Sequence, residues 1–183
     1  MNKFRVVLVG LFLLCGASSV FSAQWVDKSG KSIPDDENIK SAENFIAQLI
    51  LTTHEQDLLK KWDTPSETVE VKTSTTVERN NPISAFIVFG GCKVDQQGNC
   101  DFVTKFTIYQ PDGKLYADLP EMEVWSGKPV PPNRSIQLSV AYLKVVIEKG
   151  EQLGKYRVES VVTDKIGKER VKLSSVFEAI EGK

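Results

Sequence analysis

Along most of this chain apolar residues recur at every second position, the period of a strand whose two faces meet different surroundings. Val69, Val71, Thr73, Thr75 and Val77 alternate with Glu70, Lys72, Ser74 and Thr76, which predicts a half-buried strand with one wet face. Phe102, Thr104, Phe106 and Ile108 repeat the pattern, and so do Ile136, Leu138 and Val140, then Leu143, Val145 and Ile147. Tyr156, Val158 and Val162 follow, and finally Val171, Leu173, Val176, Phe177 and Ala179. One run breaks the alternation. From Ile83 to Phe89 both faces are apolar, so this strand is expected at the centre of the fold.

The stretch from Asn44 to Leu51 also crowds both faces and fits either strand or helix. The two threonines after it, and a better helix start just beyond, favour a strand. Thr53 and Gln56 have capping-box spacing, and Leu58, Leu59 and Trp62 recur at helical intervals. They predict one short helix at about 54–62, ended by Asp63-Thr64-Pro65. Turn residues separate the strands at Glu78 to Pro82, at Gln110-Pro111-Asp112-Gly113, at Lys149 through Gly154 and at Asp164 to Gly167. Leu115 to Trp125 holds one or two short strands. About eight strands at roughly ten-residue spacing, with a single short N-terminal helix, predict a mainly β chain folded as one antiparallel β-sandwich.

The start of the chain bears on compartment. Lys3 and Arg5 precede an apolar run from Val6 to Leu14, and small residues fill Cys15 to Ser22. This is the pattern of a secretory signal peptide, residues 1–22, with the mature chain beginning at Ala23. Serine and glycine interrupt the run well before the roughly 18 apolar residues a membrane span needs. Cys15 follows the bulky Leu14, whereas the residue before a lipidated cysteine is normally small, so the reading is a periplasmic or secreted protein and not a lipoprotein. Losing Lys3 and Arg5 takes the formal net charge from -1 to -3, with acids and bases interspersed. No basic stripe is left to follow a phosphate backbone, which argues against nucleic acid as a partner. The roughly 160 residues that remain make one domain of ordinary size.

Export decides how the cysteines are read. Cys92 and Cys100 are the two left in the mature chain, and an oxidising compartment pairs them. The enclosed Lys93-Val94-Asp95-Gln96-Gln97-Gly98-Asn99 is polar and suits a loop tip, so the stretch from Ile83 to Tyr116 is expected to be a disulfide-clamped β-hairpin. The bridge either stiffens that tip for binding or simply staples the fold. Residues 23–41 are polar and broken by Gly30 and Pro34, and they read as a flexible N-terminal arm before a sandwich at 42–183. Trp25 on the arm serves either to anchor a partner or to pack on the domain itself.

Trp125-Ser126-Gly127-Lys128-Pro129-Val130-Pro131-Pro132-Asn133 is the least regular stretch, and its three prolines keep it out of a sheet interior. It is expected to form a loop end. A tryptophan beside prolines supplies a rigid, low-entropy contact surface, so Trp125, Lys128, Pro129, Pro131 and Pro132 are the candidate partner-binding residues. The other reading of Trp125 is that it packs under its own loop.

Gly154-Lys155-Tyr156-Arg157-Val158 followed by Val161-Val162-Thr163-Asp164 resembles the penultimate strand of immunoglobulin-like domains, in which a tyrosine hydrogen-bonds back across a corner. Val158 stands where an antibody domain has its inter-sheet cysteine, so the resemblance is to the wider immunoglobulin-like group. With Phe89-Gly90-Gly91-Cys92, Gly98-Asn99-Cys100, Pro111-Asp112-Gly113 with Tyr116, and Trp125 to Pro129, this strand is also similar to an uncharacterised family of exported Gram-negative bacterial proteins. The resemblance covers most of the mature chain. It implies an exported immunoglobulin-like β-sandwich and brings no catalytic residues with it.

Candidate chemistry narrows further. His54 is the single histidine, at the expected helix start beside Glu55, so histidine-based triads and multi-histidine metal sites either depend on it or are ruled out. Neither a Walker loop nor a dinucleotide fingerprint is present, and no cofactor is implied. Asp95, Asn99 and Asp101 have a loose oxygen-ligand spacing but lack the features of an EF-hand loop. Three functional readings follow. The first is a non-enzymatic interaction module of the envelope that binds a protein or glycan. The second is an envelope hydrolase using paired carboxylates among Asp112, Asp118, Glu121 and Glu123, which requires a deep pocket with inward-facing acids. The third is a fibre or pilus-like subunit assembled by strand donation from the arm at 23–41.

Overall fold

A computed structural model describes residue 25 and residues 29–64, 70–130 and 136–182. The expected signal peptide at 1–22, and with it the expected mature start at Ala23, lies outside the described residues. Two sheets face each other. The first contains β1 (Ile39–Ser41), β2 (Phe45–Thr52) and β4 (Pro82–Gly91), with β8 (Gln137–Leu138) and β9 (Leu143–Val146) end to end along the far edge of β4. The second runs β3 (Thr76–Glu78), β11 (Glu169–Ile180), β10 (Gly154–Asp164) and β5 (Asn99–Tyr109), with β6 (Leu115–Asp118) and β7 (Met122–Pro129) sharing the far edge of β5. Among the described residues the one helix, α1 (Glu55–Trp62), follows β2 and packs back on the outer face of the first sheet.

Inward positions of both sheets build one core from Phe45, Leu49, Ile87, Phe89, Phe102, Phe106, Tyr156, Val158, Leu173 and Phe177. Tyr156 is fully buried and its hydroxyl donates to the carbonyl of Gln152 at 2.7 Å, the tyrosine corner that the resemblance to immunoglobulin-like domains implies. Phe177 stacks on its ring with centroids 5.4 Å apart. The sheet orders and this corner make the chain a mainly β, immunoglobulin-like sandwich, with one helix among the described residues.

The double-sided strand is central, as its composition requires. Ile83, Ala85, Ile87 and Phe89 of β4 face the main core, while Phe86 and Val88 point the other way into a second cluster with Ile50, Leu58 and Leu138. That outer face is covered by α1 and by Trp25, which is 8% exposed and donates from Nε1 to the Lys40 carbonyl at 3.2 Å. The covering of the outer face also corrects the expected arm. Its last residues, Ile39–Ser41, form β1 and pair with this chain's own β2, because Ile39 gains burial on the same apolar face.

Three further expectations change. β4 and β5 belong to different sheets, so the stretch around the cysteines is an arch that crosses the sandwich and not a hairpin. β4 is already paired on both edges, by β2 on one side and β8 and β9 on the other, which leaves no edge for β5. Among its described residues, 70–77, the alternating stretch yields strand only at β3, where it pairs parallel to β11, so the sandwich is not wholly antiparallel. The preceding residues cross between sheets: the Ser74 amide bonds to Leu51 of the first, and the Thr75 carbonyl accepts from Glu178 of the second. Finally, the expected capping box is absent. His54 is the N-cap without a side-chain bond, and the Thr53 hydroxyl is engaged with Ser74 at 2.9 Å.

Candidate functional site

Cys92 and Cys100 are bonded, with Cα atoms 6.0 Å apart. The bridge links the end of β4 in one sheet to the start of β5 in the other. Gly91 makes the corner possible. It has φ +74°, and a Cβ there would stand 2.6 Å from the Asn44 carbonyl oxygen. Within the enclosed loop, Asp95 Oδ1 accepts the amides of Gln97 and Asn99 at 2.9 and 2.8 Å, and the Asp95 amide donates to the Asn99 carbonyl at 2.9 Å. Asp95 is thus a turn former. Asp101 accepts from the Ser126 hydroxyl at 2.7 Å.

The loop is also braced from behind. Asp164, with no exposed surface, accepts the Lys93 amide at 2.9 Å through one oxygen and the amides of Ile166 and Gly167, both at 2.9 Å, through the other. The Lys165 amide donates to the Asp101 carbonyl at 2.9 Å, so the β10–β11 turn is locked to the clamp.

The stretch from Trp125 to Pro129 is not a loop but the end of edge strand β7. Pro129 is tolerated because it ends an edge strand, where its missing amide costs no internal ladder bond. The register sets Cys100 opposite Lys128 and Asn99 opposite Pro129, with bulges on either side of Asp101 and Phe102, and Val130 donates to Gly98 at 3.3 Å. Clamp loop and β7 end therefore form one continuous surface, on which Val94 and Val130 are 39% and 42% exposed. Trp125 supports that surface more than it protrudes from it. Its ring is half-buried 5.8 Å from Phe89, Nε1 donates to the Pro129 carbonyl at 3.1 Å, and Lys128 Nζ lies 4.9 Å over the ring. Pro131 and Pro132 lie outside the described residues.

The acids suggested for hydrolysis are spread from the turn before β6 to β7, and three of the four are each paired with a lysine. Asp112 pairs with Lys114 at 2.8 Å, Asp118 with Lys105 at 2.8 Å and Glu123 with Lys128 at 3.3 Å, while Glu121 is exposed. Hydrogen bonds from Lys114 hold Asp112 below the usual carboxylate range, and those from Lys105 and Thr107 do the same for Asp118. None of these four acids lines either of the depressions beside α1.

Sequence reasoning misses a different cluster, at the start of α1. Glu55 is 8% exposed and accepts from the Ser84 hydroxyl at 2.5 Å, Lys144 Nζ at 2.8 Å, the Tyr142 hydroxyl at 3.1 Å and Gln56 Nε2 at 3.1 Å. Burial alone would push its carboxyl up, but bonds from Lys144, Ser84 and Tyr142 together outweigh that and hold it below its ordinary value. Burial, then Glu55 itself, pushes the Tyr142 hydroxyl up. Beside the cluster an open, shallow depression is lined by Thr53, His54, Gln56, Asp57, Pro82 and Lys144. The one available signal was Ser84, a lone hydroxyl inside an otherwise apolar strand.

No family model and no curated protein matches the chain. Among solved structures it is similar to a family 123 glycoside hydrolase from Clostridium perfringens, at 10% identity and TM-score 0.41 over 74% of this chain and 27% of that one. The chain thus spans about a quarter of that enzyme's length. It is also similar to the CARDB domain of the PF1109 protein from Pyrococcus furiosus, at 12% identity and TM-score 0.37 over 81% of this chain and 100% of that one. A Niemann-Pick type C2 protein from Japanese carpenter ant aligns at 9% identity and TM-score 0.39, over 73% and 89%. Likeness at this level carries nothing about activity, so the site rests on its own geometry. Among the described residues no helix is long and apolar enough to cross a membrane.

Proposed function

We propose that this chain is an exported, non-enzymatic interaction module of the bacterial cell envelope that binds a protein or glycan partner through its clamped end. The observation that carries the reading is the register that lays Asn99 and Cys100 beside Pro129 and Lys128, joining the disulfide loop and the β7 end into one surface. Asp95 and Asp164 brace the loop, so little conformational entropy remains to be lost on contact. Exposed Val94 and Val130 supply apolar area, and Lys128 over Trp125 adds a cation on an aromatic platform. Pro131 and Pro132 extend the same segment in sequence. A disulfide and a signal-peptide pattern both suit an oxidising compartment, the periplasm or the exterior. The resemblance to exported Gram-negative proteins belongs to this proposal.

The test is capture of the mature protein's partner by brief crosslinking in intact cells of its own source. The variant Val94→Asp/Val130→Asp is compared with Leu115→Asp, whose side chain is 56% exposed at the far end of β5. Support requires one envelope component that is recovered with the wild type and with Leu115→Asp and lost with the double variant, at unchanged thermal midpoints. Equal recovery with all three proteins would rule the clamped end out.

A further inference from the structure

We propose that Glu55 is an acid-operated latch, whose protonation releases α1 from the outer face of the first sheet while the sandwich beneath it stays folded. The inference starts from what α1 lacks. Eight residues are too few for a helix to be stable alone in water, and no side chain caps its N-terminus. Two things hold it down. One is its apolar side, with Leu58 buried and Leu59 and Trp62 partly buried over Phe86, Ile50 and Tyr142. The other is Glu55 in its first turn, the buried acid bonded to Ser84 of β4, to Lys144 of β9 and to Tyr142 between β8 and β9.

All three cross-links end on one carboxylate, so one proton weakens all of them. Protonated, Glu55 loses its ion pair with Lys144 and must share two oxygens and a hydroxyl hydrogen among groups that all point donors at it. The charged and titratable groups around it are Lys144 and Tyr142 from the sheet, and His54 and Asp57 on its own helix; Lys61, Glu70 and Lys72 line the adjoining depression with His54 and Asp57. Lys144 is the cation bonded directly to it. The sign follows from the direction of the shift: the folded carboxyl titrates below its ordinary value, so the latch is intact above that value and is lost as pH falls through the folded one. In that window opening takes up one proton, and its equilibrium constant rises by up to about tenfold per pH unit. Opening uncovers Ile50, Phe86 and Val88, an apolar floor on the far side of the sheet from the main core.

Hydrogen exchange of the full chain between about pH 7 and pH 3, corrected for intrinsic rates, tests this. The α1 amides should lose protection on acidification while β10 and β11 keep theirs. Glu55→Gln, which cannot ionise, should give α1 protection that no longer depends on pH in this range. Lys144→Met, a change at a side chain 46% exposed, should move the opening to higher pH. Two results would overturn the latch: α1 and β10–β11 losing protection together, or Glu55→Gln retaining the wild-type pH dependence.

Discussion

The buried carboxylate of Asp164 accepts the Lys93 amide at 2.9 Å, and this bond fastens the β10–β11 turn to the residue that follows Cys92. With the amides of Ile166 and Gly167 it gathers three backbone donors around a charge that water does not reach. Removing it leaves those donors unsatisfied, and hydrogen bonds to charged groups are worth about 1.5–3 kcal/mol each. Asp164→Ala should therefore cost about 3 kcal/mol or more, roughly 6–12 °C in thermal midpoint. Thermal unfolding measures it. A loss below about 1 kcal/mol would mean that the amides find other partners.

The disulfide closes a short loop, with a sequence separation of 8, between strands of opposite sheets. Loop-closure entropy for such a length amounts to about 2–3 kcal/mol. Replacing both cysteines by serine should lower stability by that amount in denaturant unfolding, with little change in slope. Partner capture should fall more than stability does, because the loop supplies part of the proposed surface. If stability falls and capture by the folded fraction does not, the bridge is only a staple.

The strand from Ile83 to Phe89 was legible because both of its faces are apolar in sequence, and both are covered in the structure. Tyr156 was legible for a similar reason: the corner partner, Gln152, is only four residues away. The arch was not legible. Whether β5 pairs with β4 depends on which strands already occupy the edges of β4, and β8 and β9 arrive from distant sequence. Glu55 shows the same limit more sharply, since Ser84, Tyr142 and Lys144 lie 29, 87 and 89 residues from it. The stretch at 69–77 misleads differently. Its alternation is real, but Ser74 and Thr75 bond to opposite sheets, so the period there serves a crossing.

Trp125 and Lys128 should separate stability from binding. The indole packs against Phe89 and partly against the main core, so Trp125→Ala should destabilise by about 2 kcal/mol or more as well as impair capture. Lys128 is 39% exposed and paired only at the surface, so Lys128→Ala should stay within about 0.5 kcal/mol of wild type. If binding uses this end, Lys128→Ala lowers capture at constant midpoint. Wild-type capture by that variant would remove Lys128 from the surface.

Alkaline pH should reveal Tyr116. Burial first, and then its hydrogen bond to Glu151 at 2.9 Å, push its hydroxyl up from 10.0 to about 12. A group whose folded value lies above its unfolded one stabilises fully below the unfolded value and loses that contribution as pH rises through the folded one. Stability should therefore decline between about pH 10 and about 12, the window set by this shift. Burial also raises Tyr156, so part of the decline belongs to the tyrosine corner. Tyr116→Phe keeps the ring's edge-on contact with Tyr156, with centroids 5.5 Å apart, and removes the ionisable group. In that variant the alkaline decline should be shallower, and ultraviolet titration of phenolate should lose its latest-ionising tyrosine. An unchanged pH dependence of denaturant unfolding would assign the whole decline to other groups.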